Sequence, residues 1–248
     1  MNYPMNEVYR WNPAEGIVGV VGVAPAATAD FYLRLTALTP ARKDWEHVRV
    51  LIDSNPKLPS RGRHLELGET DPSPFIRACI DDLMGRGACV VAVPCNTAHI
   101  LYERFAEGLS DVVPNMIDAA VEALVDERGS APRRLAVLGS RLTVAHDLYG
   151  RRVRLLGGGC IDMNAWQPEI SALIEQVKQG GDLKAGAQRL QRVVAGCCSA
   201  DAVVIACTEL SSLLSGVEFE VPMIDASTAL ARRCLAIASR NPEPSTLG

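Results

Sequence analysis

The sequence predicts an α/β protein of two pseudo-symmetric domains, each a mostly parallel sheet flanked by helices, with the active site in the interdomain cleft. Short apolar runs rich in β-branched residues alternate with stretches whose apolar residues recur at helical spacing. This order is typical of parallel sheets covered by helices. The same landmarks also occur in the same order in both halves, and two of the apolar runs end in a cysteine.

The individual elements follow from this alternation. Each predicted strand is short and continuously apolar, as expected for a strand that is buried on both faces. The predicted strands are Ile17–Val21, Val48–Ile52, Val90–Val93, Leu135–Leu138, Val153–Leu156 and Val203–Ala206. In the predicted helices the apolar residues fall on one face. These helices are Ala26–Leu38, Ser73–Arg86, Ala98–Glu107, Ile117–Glu127, Pro168–Gln179, Leu183–Ala195 and Ser227–Ser239.

The chain contains an internal duplication. Three kinds of landmark recur in register: a glycine followed at one fixed spacing by Asp-x-Tyr, an apolar run ending in cysteine, and a Met-Ile-Asp segment after a proline. In the first half they are Gly22 with Asp30–Tyr32, Val90–Thr97 and Val113–Ala119; in the second they are Gly139 with Asp147–Tyr149, Val203–Glu209 and Val221–Ala226. Three matches in one order indicate two copies of one α/β unit.

The duplication predicts where a ligand binds. Two such domains place a cleft between the carboxyl ends of their strands, where ligands bind in open α/β folds. Cys95 and Cys207 both follow such ends. Because the last predicted helix, Ser227–Ser239, repeats the predicted helix Ile117–Glu127, we expect the chain from about Val221 onward to return to the first domain. The first domain is therefore predicted to comprise residues 1–112 and 221–248, with Cys95, and the second residues 113–220, with Cys207.

Composition excludes several classes of protein. The chain has 248 residues, of which 48% are hydrophobic and 22% charged, as in ordinary globular proteins. Its net charge of −4 gives no electrostatic footprint for nucleic acid. The first residues lack the basic flank and apolar core of a secretory signal, and no apolar run approaches the roughly 20 residues of a membrane span. We therefore expect a cytoplasmic protein whose partner is a small molecule, with neither nucleic acid nor membrane.

Eight cysteines are present, but they do not form a disulfide or zinc framework. The sequence contains neither a Cys-x-x-Cys pair nor a Cys/His cluster with zinc spacing, so no metal site is predicted. Six cysteines are interpreted as small core residues. These six are Cys79, Cys89, Cys160, Cys197, Cys198 and Cys234.

The other two cysteines suggest chemistry. A helix beginning just after a thiol lowers its pKa from the ordinary value of about 8.5, and the hydroxyl of Thr97 or Thr208 is placed to cap that helix. Two thiols that face one another are suited to removing a proton from one face of a carbon and returning one to the other. The alternative is that Cys95 and Cys207 are buried and merely precede helix caps.

The segments around both cysteines, and three others, resemble those of a known family. The segments Pro94–His99 and Ala206–Leu210, together with Pro25–Tyr32, Asp53–Lys57 and Leu58–Arg61, are similar to those of the cofactor-independent aspartate/glutamate racemases. The cysteine motifs are shared with a wider superfamily of glutamate, hydantoin and maleate-processing enzymes. The Ser-Asn-Pro-Lys block and the glutamate after the second Cys-Thr favour the aspartate/glutamate branch. The resemblance extends from about Val18 to Ala238.

The resemblance implies a mechanism and a set of site residues. One of Cys95 and Cys207 removes the Cα proton and the other donates one, without pyridoxal phosphate or another cofactor. It also implies a homodimer and an acidic amino acid as substrate. Donors that stabilise the carbanion are Asn96, Thr97, Thr208 and the backbone amides after each cysteine, and the substrate carboxylates are contacted by Arg61, Lys178 and Thr143.

Several of these residues have an ordinary structural interpretation as well. Arg61 lies in a basic stretch and is equally interpreted as a solvated side chain. Lys178 is placed as a lysine at a helix C-terminus before two glycines. His99 either tunes the thiol of Cys95 or packs and caps. Glu209 either holds its neighbours through hydrogen bonds or is a first-turn helix acid.

The sequence departs from the family pattern after the first strand. Where the family has Gly-Gly-Met-Gly-Pro, the segment Val21–Pro25 reads Val-Gly-Val-Ala-Pro, and Ala206 replaces a glycine before the second cysteine. The loss of glycine restricts the backbone that approaches the substrate, so an amino acid other than aspartate or glutamate stays open. The competing hypotheses are another thiol-dependent isomerase or a decarboxylase of the same superfamily, and a non-catalytic carboxylate-binding protein.

Overall fold

The computed structural model of the protein describes residues 16–125, 129–197, 199–214 and 220–240. Within these residues the chain forms two separate three-stranded sheets, and every strand pair is parallel. The first sheet has the order β2-β1-β3, with β1 at Ile17–Gly22, β2 at Val50–Ser54 and β3 at Ala88–Ala92. The second has the order β4-β5-β6, with β4 at Leu135–Gly139, β5 at Ala202–Ala206 and β6 at Met223–Asp225.

Helices connect the strands and cover the sheets. In the first half they are α1 (Pro25–Leu38), α2 (Arg61–Leu67), α3 (Ser73–Gly85), α4 (Tyr102–Phe105) and α5 (Met116–Glu122). In the second half they are α6 (Arg141–Ala145), α7 (Leu148–Leu155), α8 (Gln167–Lys178), α9 (Leu183–Gly196), α10 (Thr208–Ser211) and α11 (Ala226–Ala238). Two 3₁₀ turns, Asp44–Glu46 and Thr97–Leu101, complete the described elements.

The core is organised in three apolar clusters. One cluster packs α3 against the first sheet, through residues such as Ile80 on Val91, and a second packs α8 and α9 against the second sheet. The third and largest cluster contains residues of both sheets, among them Val18 and Val204, together with α1, α5, α7 and α11. Since burial of apolar surface is the main favourable term in folding, this shared cluster joins the two halves.

The predicted α/β fold is confirmed, and five of the six predicted strands form within a few residues of their expected bounds. The predicted strand at Val153–Leu156 is wrong, since these residues belong to α7 and the turn after it. Only Val153 is fully buried there, at helical spacing from Tyr149, while Leu155 is exposed. A run this short fits a strand and a buried helix face equally well, and the length of the whole element decides between them.

Three other predicted elements differ in detail. The helix expected at Ala98–Glu107 is a 3₁₀ turn followed by the short α4. The helix expected at Ile117–Glu127 begins one residue earlier and ends at Glu122; the last two residues of that prediction lie outside the described residues. The prediction of a core role for Cys198 also falls on a residue that the structure does not describe.

The C-terminal part of the chain contacts both halves. In the segment from Val221 onward, Met223–Asp225 forms β6 and pairs with β5 of the second sheet. The helix that follows, α11, packs on α1, α5 and β3 of the first half. The division into domains at residues 113 and 221 stays a prediction.

None of the helices in the described ranges has the length and apolar character needed to cross a membrane.

Candidate active site

The two cysteines identified in the sequence line one pocket. Cys95 follows β3 after Val93 and Pro94, and Cys207 is the residue directly after β5. The pocket has a volume of about 590 Å³ and is lined by residues of both halves, including both cysteines. Because ligands of parallel sheets bind at the carboxyl ends of the strands, this pocket is where the fold predicts a site.

Two glycines allow the backbone to close up beside the pocket. A Cβ added at Gly139, at the end of β4, would lie 2.9 Å from the carbonyl oxygen of Ala206, just before Cys207. A Cβ at Gly22, at the end of β1, would clash with Thr28 Oγ1. These are the two glycines of the repeat, and each permits a contact that a side chain would block.

Cys207 is paired with a carboxylate. Its Sγ donates a hydrogen bond to Glu209 Oε2 at 3.0 Å, and Thr208 Oγ1 donates to the same oxygen at 3.3 Å. Cys207, Thr208 and Glu209 are all buried. The sequence left two interpretations of Glu209, a residue that holds its neighbours through hydrogen bonds or an acid in the first turn of a helix. The structure agrees with both, since Glu209 accepts from Cys207 and Thr208 and lies in the first turn of α10.

The environment of Cys207 favours the neutral thiol. Burial raises the pKa of Cys207 well above its usual value, and the charge and hydrogen bond of Glu209 and the nearby Cys95 add to this rise. The backbone N–H of Glu209 opposes it by donating to the sulfur. The turn after Cys207 thus lowers its pKa as expected, but burial and the Glu209 carboxylate raise the pKa by more, so the net shift is upward. A single short turn of helix does not outweigh burial next to a carboxylate.

The expected helix caps are also different. Thr97 and Thr208 are the first residues of their turns, and Asn96 and Cys207 occupy the cap positions without a side-chain cap bond. Instead, Thr97 Oγ1 lies 3.0 Å from Ser140 Oγ, which in turn lies 3.0 Å from Thr143 Oγ1. This chain of hydroxyls connects the residue after Asn96 with the second half of the protein.

Thr143 does not line the main pocket among the residues that the structure describes. It is fully buried behind Ser140, whose Oγ caps α6 by accepting from Thr143 N at 3.2 Å. Ser140 itself lines the pocket, although the sequence analysis did not single it out. The signal was present, since a serine between a strand and the helix after it is typical of a helix N-cap.

Asn96 is buried between two residues that line the pocket. Its Oδ1 accepts a hydrogen bond of 2.6 Å from the phenol of Tyr149, a residue of α7. Its Nδ2 is buried without a hydrogen-bond partner. An unpaired buried donor costs about 1–3 kcal/mol, and no group among the described residues compensates for the burial of this amide nitrogen.

His99 contacts the backbone of Cys95 rather than its thiol. The Nδ1 atom lies 2.9 Å from the carbonyl oxygen of Cys95, and Nε2 accepts from Met116 N at 3.0 Å. The ring stacks on Tyr102 and meets Phe105 edge to face. Burial lowers the pKa of His99 to about 4. The geometry therefore favours the packing interpretation of His99 over direct tuning of the thiol.

Two cations line the pocket. Arg61 is half-buried at the start of α2, where its guanidinium donates to the carbonyl oxygens of Pro59 and Val23 at 3.1 and 3.4 Å. The second bond fixes Arg61 against the loop in which the sequence departs from the family pattern. Lys178 is exposed at the last residue of α8. Arg61 is therefore the positioned cation, whereas Lys178 reaches the pocket from its rim.

The structure thus brings most of the predicted site residues together. Those that line the pocket are Arg61, Cys95, Thr97, Lys178, Cys207, Thr208 and Glu209. Those that lie behind the lining and hold it are Asn96, His99 and Thr143. The rest of the wall contains Ser60 and Ser140 but is mostly apolar, and its apolar part comes from the loop before α1, the start of α1, α6 and α8. Its larger side chains are Val23, Leu142, Ile174 and Val177. Across the described ranges no group of three or more His, Cys, Asp or Glu residues is placed to hold a metal ion.

A family model described as Asp/Glu/Hydantoin racemase matches residues 20–234. The chain belongs to this family. The racemase is 28% identical over 225 residues to the broad specificity amino-acid racemase RacX of Bacillus subtilis (strain 168), a match that covers 87% of this chain and 95% of RacX. Both comparisons confirm the resemblance drawn from the motifs and make the protein an isomerase.

Solved structures agree with this assignment. The aspartate racemase of Picrophilus torridus superimposes with a TM-score of 0.80 at 28% identity, covering 90% of this chain and 94% of that one. The glutamate racemase isoform RacE1 of Bacillus anthracis superimposes with a TM-score of 0.61 at 15% identity, covering 92% and 86%. The second similarity shows the fold alone.

Proposed function

We propose that this racemase inverts the Cα of aspartate or glutamate by proton transfer between Cys95 and Cys207. The observation that carries the proposal is that both thiols, delivered by equivalent strands of a duplicated fold, line one pocket. A two-base reaction needs one acid and one base on opposite sides of a stereocentre. The pKa of Cys207, raised by burial and Glu209, supports its role as the acid in one direction.

The proposed step balances without a cofactor. In one direction the Cys95 thiolate takes the Cα proton, the electron pair of the C–H bond passes into the α-carboxylate, and the Cys207 thiol delivers its proton to the opposite face. The enzyme is left with a thiol at Cys95 and a thiolate at Cys207. The opposite enantiomer is processed by the reverse step. Glu209 accepts a hydrogen bond from the Cys207 thiol. It is therefore placed to take part in restoring the starting state, with a thiolate at Cys95 and a thiol at Cys207.

Stabilisation of the carbanion is the demanding part of this reaction, since negative charge develops beside a carboxylate. Fixed donors in a site that excludes water are the usual solution. Here the candidates are the unpaired Nδ2 of Asn96, the hydroxyls of Thr97 and Thr208, and the N–H of Glu209. Of these, Nδ2 of Asn96 is unpaired, whereas the Thr208 hydroxyl and the Glu209 N–H already donate to Glu209 Oε2 and Cys207 Sγ and would share or exchange these bonds when substrate binds.

The proposed acidic substrate rests on the two cations. Arg61 presents a planar guanidinium suited to a carboxylate, and Lys178 supplies a second positive charge at the rim. A dicarboxylic amino acid would use both. The printed names of the relatives, an aspartate racemase among them, are consistent with this substrate class.

A second candidate substrate class is favoured by the apolar wall. Val23, Leu142, Ile174 and Val177 contribute side chains that neither carboxylate of aspartate would use. The pocket is also large for so small a ligand, and RacX is named a broad specificity amino-acid racemase. Amino acids with longer apolar side chains are therefore the alternative substrates.

The test is incubation with both enantiomers of aspartate, glutamate, leucine and methionine in deuterated water, followed by chiral chromatography and measurement of deuterium at Cα. We expect aspartate or glutamate to lose stereochemical purity. Cys95→Ser and Cys207→Ser should each abolish racemisation, while Cys79→Ser, a half-buried cysteine outside the pocket lining, should retain it. Racemisation of leucine and methionine alone would move the assignment to the second class.

The same experiment separates the other hypotheses. A decarboxylase would release carbon dioxide, and a non-catalytic binding protein would show neither exchange nor racemisation, with binding that survives both serine substitutions.

We also propose the domain division, the homodimer and the cytoplasmic location on the grounds given by the sequence. Sedimentation analysis of the purified chain would test the homodimer.

A further inference from the structure

Two tyrosines hold the same place in the duplicated sequence but have different environments. Tyr32 and Tyr149 each end an Asp-x-Tyr segment at the same distance from Gly22 and Gly139. Tyr32 is 44% exposed, whereas Tyr149 is only 1% exposed. The repeated unit therefore does not require a buried phenol at this position. The burial of the Tyr149 phenol is therefore specific to the second half.

The buried phenol of Tyr149 contacts the residue next to Cys95. Its Oη donates to Asn96 Oδ1 over 2.6 Å, a bond between α7 of the second half and the loop after β3 of the first. Burial raises the pKa of Tyr149 well above its usual value, so the phenol stays protonated and remains a donor. A short hydrogen bond between two buried groups fixes the geometry of both.

This bond decides which way the amide of Asn96 faces. Because Oδ1 is held by Tyr149, the amino group of the side chain lies on the other side, and it is buried without a partner. If the amide were free to turn, its oxygen could take the position of its nitrogen, and a donor would become an acceptor. A carboxylate or an enediolate would then meet a repulsive oxygen.

We propose that Tyr149 is a positioning residue, which keeps Nδ2 of Asn96 directed to a carboxylate oxygen of the bound amino acid. The inference rests on the proposed function, because it assumes that a carboxylate binds beside Cys95. Tyr149 itself lines a separate cavity of about 170 Å³ and is absent from the described lining of the main pocket. It acts on the ligand only through Asn96.

The variant that tests this is Tyr149→Phe, which keeps the ring and removes the one hydroxyl. The matched control is Tyr102→Phe, because the Tyr102 hydroxyl also makes a 2.6 Å hydrogen bond, but to the carbonyl oxygen of Val113. Steady-state kcat and KM would be measured for the substrate that the wild type racemises. Dissociation constants for L-aspartate and L-glutamate would be measured by calorimetry, and Tm by thermal unfolding.

For Tyr149→Phe we expect kcat/KM to fall by roughly tenfold or more and the dissociation constant to rise by a similar factor, as for the loss of a hydrogen bond to a charged group. Tyr102→Phe should change kcat/KM and the dissociation constant by less than about threefold, even if it lowers Tm as much as Tyr149→Phe does. In the Asn96→Ala background, Tyr149→Phe should have no further effect, because its only route to the ligand has been removed.

Equal effects of the two Phe variants on kcat/KM and binding, or full additivity with Asn96→Ala, would overturn the inference. Failure of the proposed function looks different, since the wild type would then racemise none of the amino acids. Calorimetry still tests Tyr149 in that case, because a carboxylate-binding protein would show the same order of affinities. A wild type that binds neither aspartate nor glutamate and racemises none of the four amino acids would overturn both proposals.

Discussion

Cys207 Sγ lies 3.0 Å from Glu209 Oε2, so a buried thiol donates a hydrogen bond to a buried carboxylate two residues along the chain. The two groups are held in this relation by the end of β5 and the first turn of α10. The carboxylate raises the pKa of the thiol and at the same time is the nearest group able to accept its proton. This arrangement suits a thiol that must act as an acid in one direction and as a base in the other.

The first prediction concerns Glu209→Gln. Removing the negative charge lowers the pKa of Cys207, because the carboxylate is one of the causes that raise it. Alkylation of Cys207 by iodoacetamide below pH 9 should therefore become faster, as measured by peptide mapping. Racemisation should fall by roughly 100-fold, the usual scale for loss of an acid–base group. The exposed Glu69→Gln should change neither quantity.

Isotope effects sharpen this prediction. In the proposed mechanism the Cys207 thiolate removes the proton from only one of the two enantiomers, so a slower proton transfer at Cys207 increases the effect of α-deuteration mainly for that enantiomer. Measured in both directions, the substrate isotope effect of Glu209→Gln should become unequal. An equal increase for both enantiomers would show that Glu209 does not act through Cys207.

How far the sequence predicts such details depends on the range of the interactions. The sequence predicts that Cys95 and Cys207 share a site because two α/β units place the carboxyl ends of their strands at one cleft, which is a property of local pattern and topology. The bond from Tyr149 to Asn96 joins residues from different halves, and the pKa of Cys207 depends on burial. Neither long-range contacts nor burial at a particular atom can be read from spacing alone.

The second prediction concerns acid and the buried His99. The pKa of His99 is lowered from 6.5 to about 4 by burial. Between these values the unfolded chain binds a proton that the folded protein does not, so stability decreases as the pH falls from about 6.5 to 4. The difference corresponds to at most about 3 kcal/mol. Protonation would also place a hydrogen on Nε2, which accepts from Met116 N.

Urea unfolding at pH 7, 5.5 and 4.5 measures this loss. The variant His99→Gln should be less stable at pH 7 but should lose less stability on acidification than the wild type. The half-buried His146 at the end of α6 serves as the comparison, and His146→Gln should retain the wild-type slope. A wild-type slope in His99→Gln would assign the acid sensitivity to other groups.

The third prediction concerns the ion pairs of Arg34. Its guanidinium lies 2.6 Å from Asp30 and 2.7 Å from Asp225, and it also donates to the carbonyl oxygen of Ser211 at 2.6 Å. One side chain thereby joins α1, the last turn of α10 and the start of α11. Because α1 begins at the pocket and α10 follows Cys207, Arg34 holds two walls of the site together.

The variant Arg34→Met leaves two carboxylates without their cation. We expect a loss of about 3 kcal/mol in the free energy of unfolding by urea, the scale for breaking a largely buried ion pair. Racemisation should fall as well, because α10 loses its anchor. Arg63→Met removes an exposed pair with Glu69 and should leave the unfolding midpoint unchanged. Equal midpoints for Arg34→Met and Arg63→Met would show that the Arg34 network contributes little.

The fourth prediction distinguishes the two substrate classes at Arg61. Lysine keeps the positive charge but loses the planar pair of donors and the bond to Val23 O, so Arg61→Lys should lower kcat/KM for aspartate by about tenfold or more. If Arg61 binds the side-chain carboxylate of aspartate, kcat/KM for leucine, which has no such group, should decrease less. Arg63→Lys, outside the described pocket lining, is the control. The same decrease for both substrates would assign Arg61 to the α-carboxylate instead.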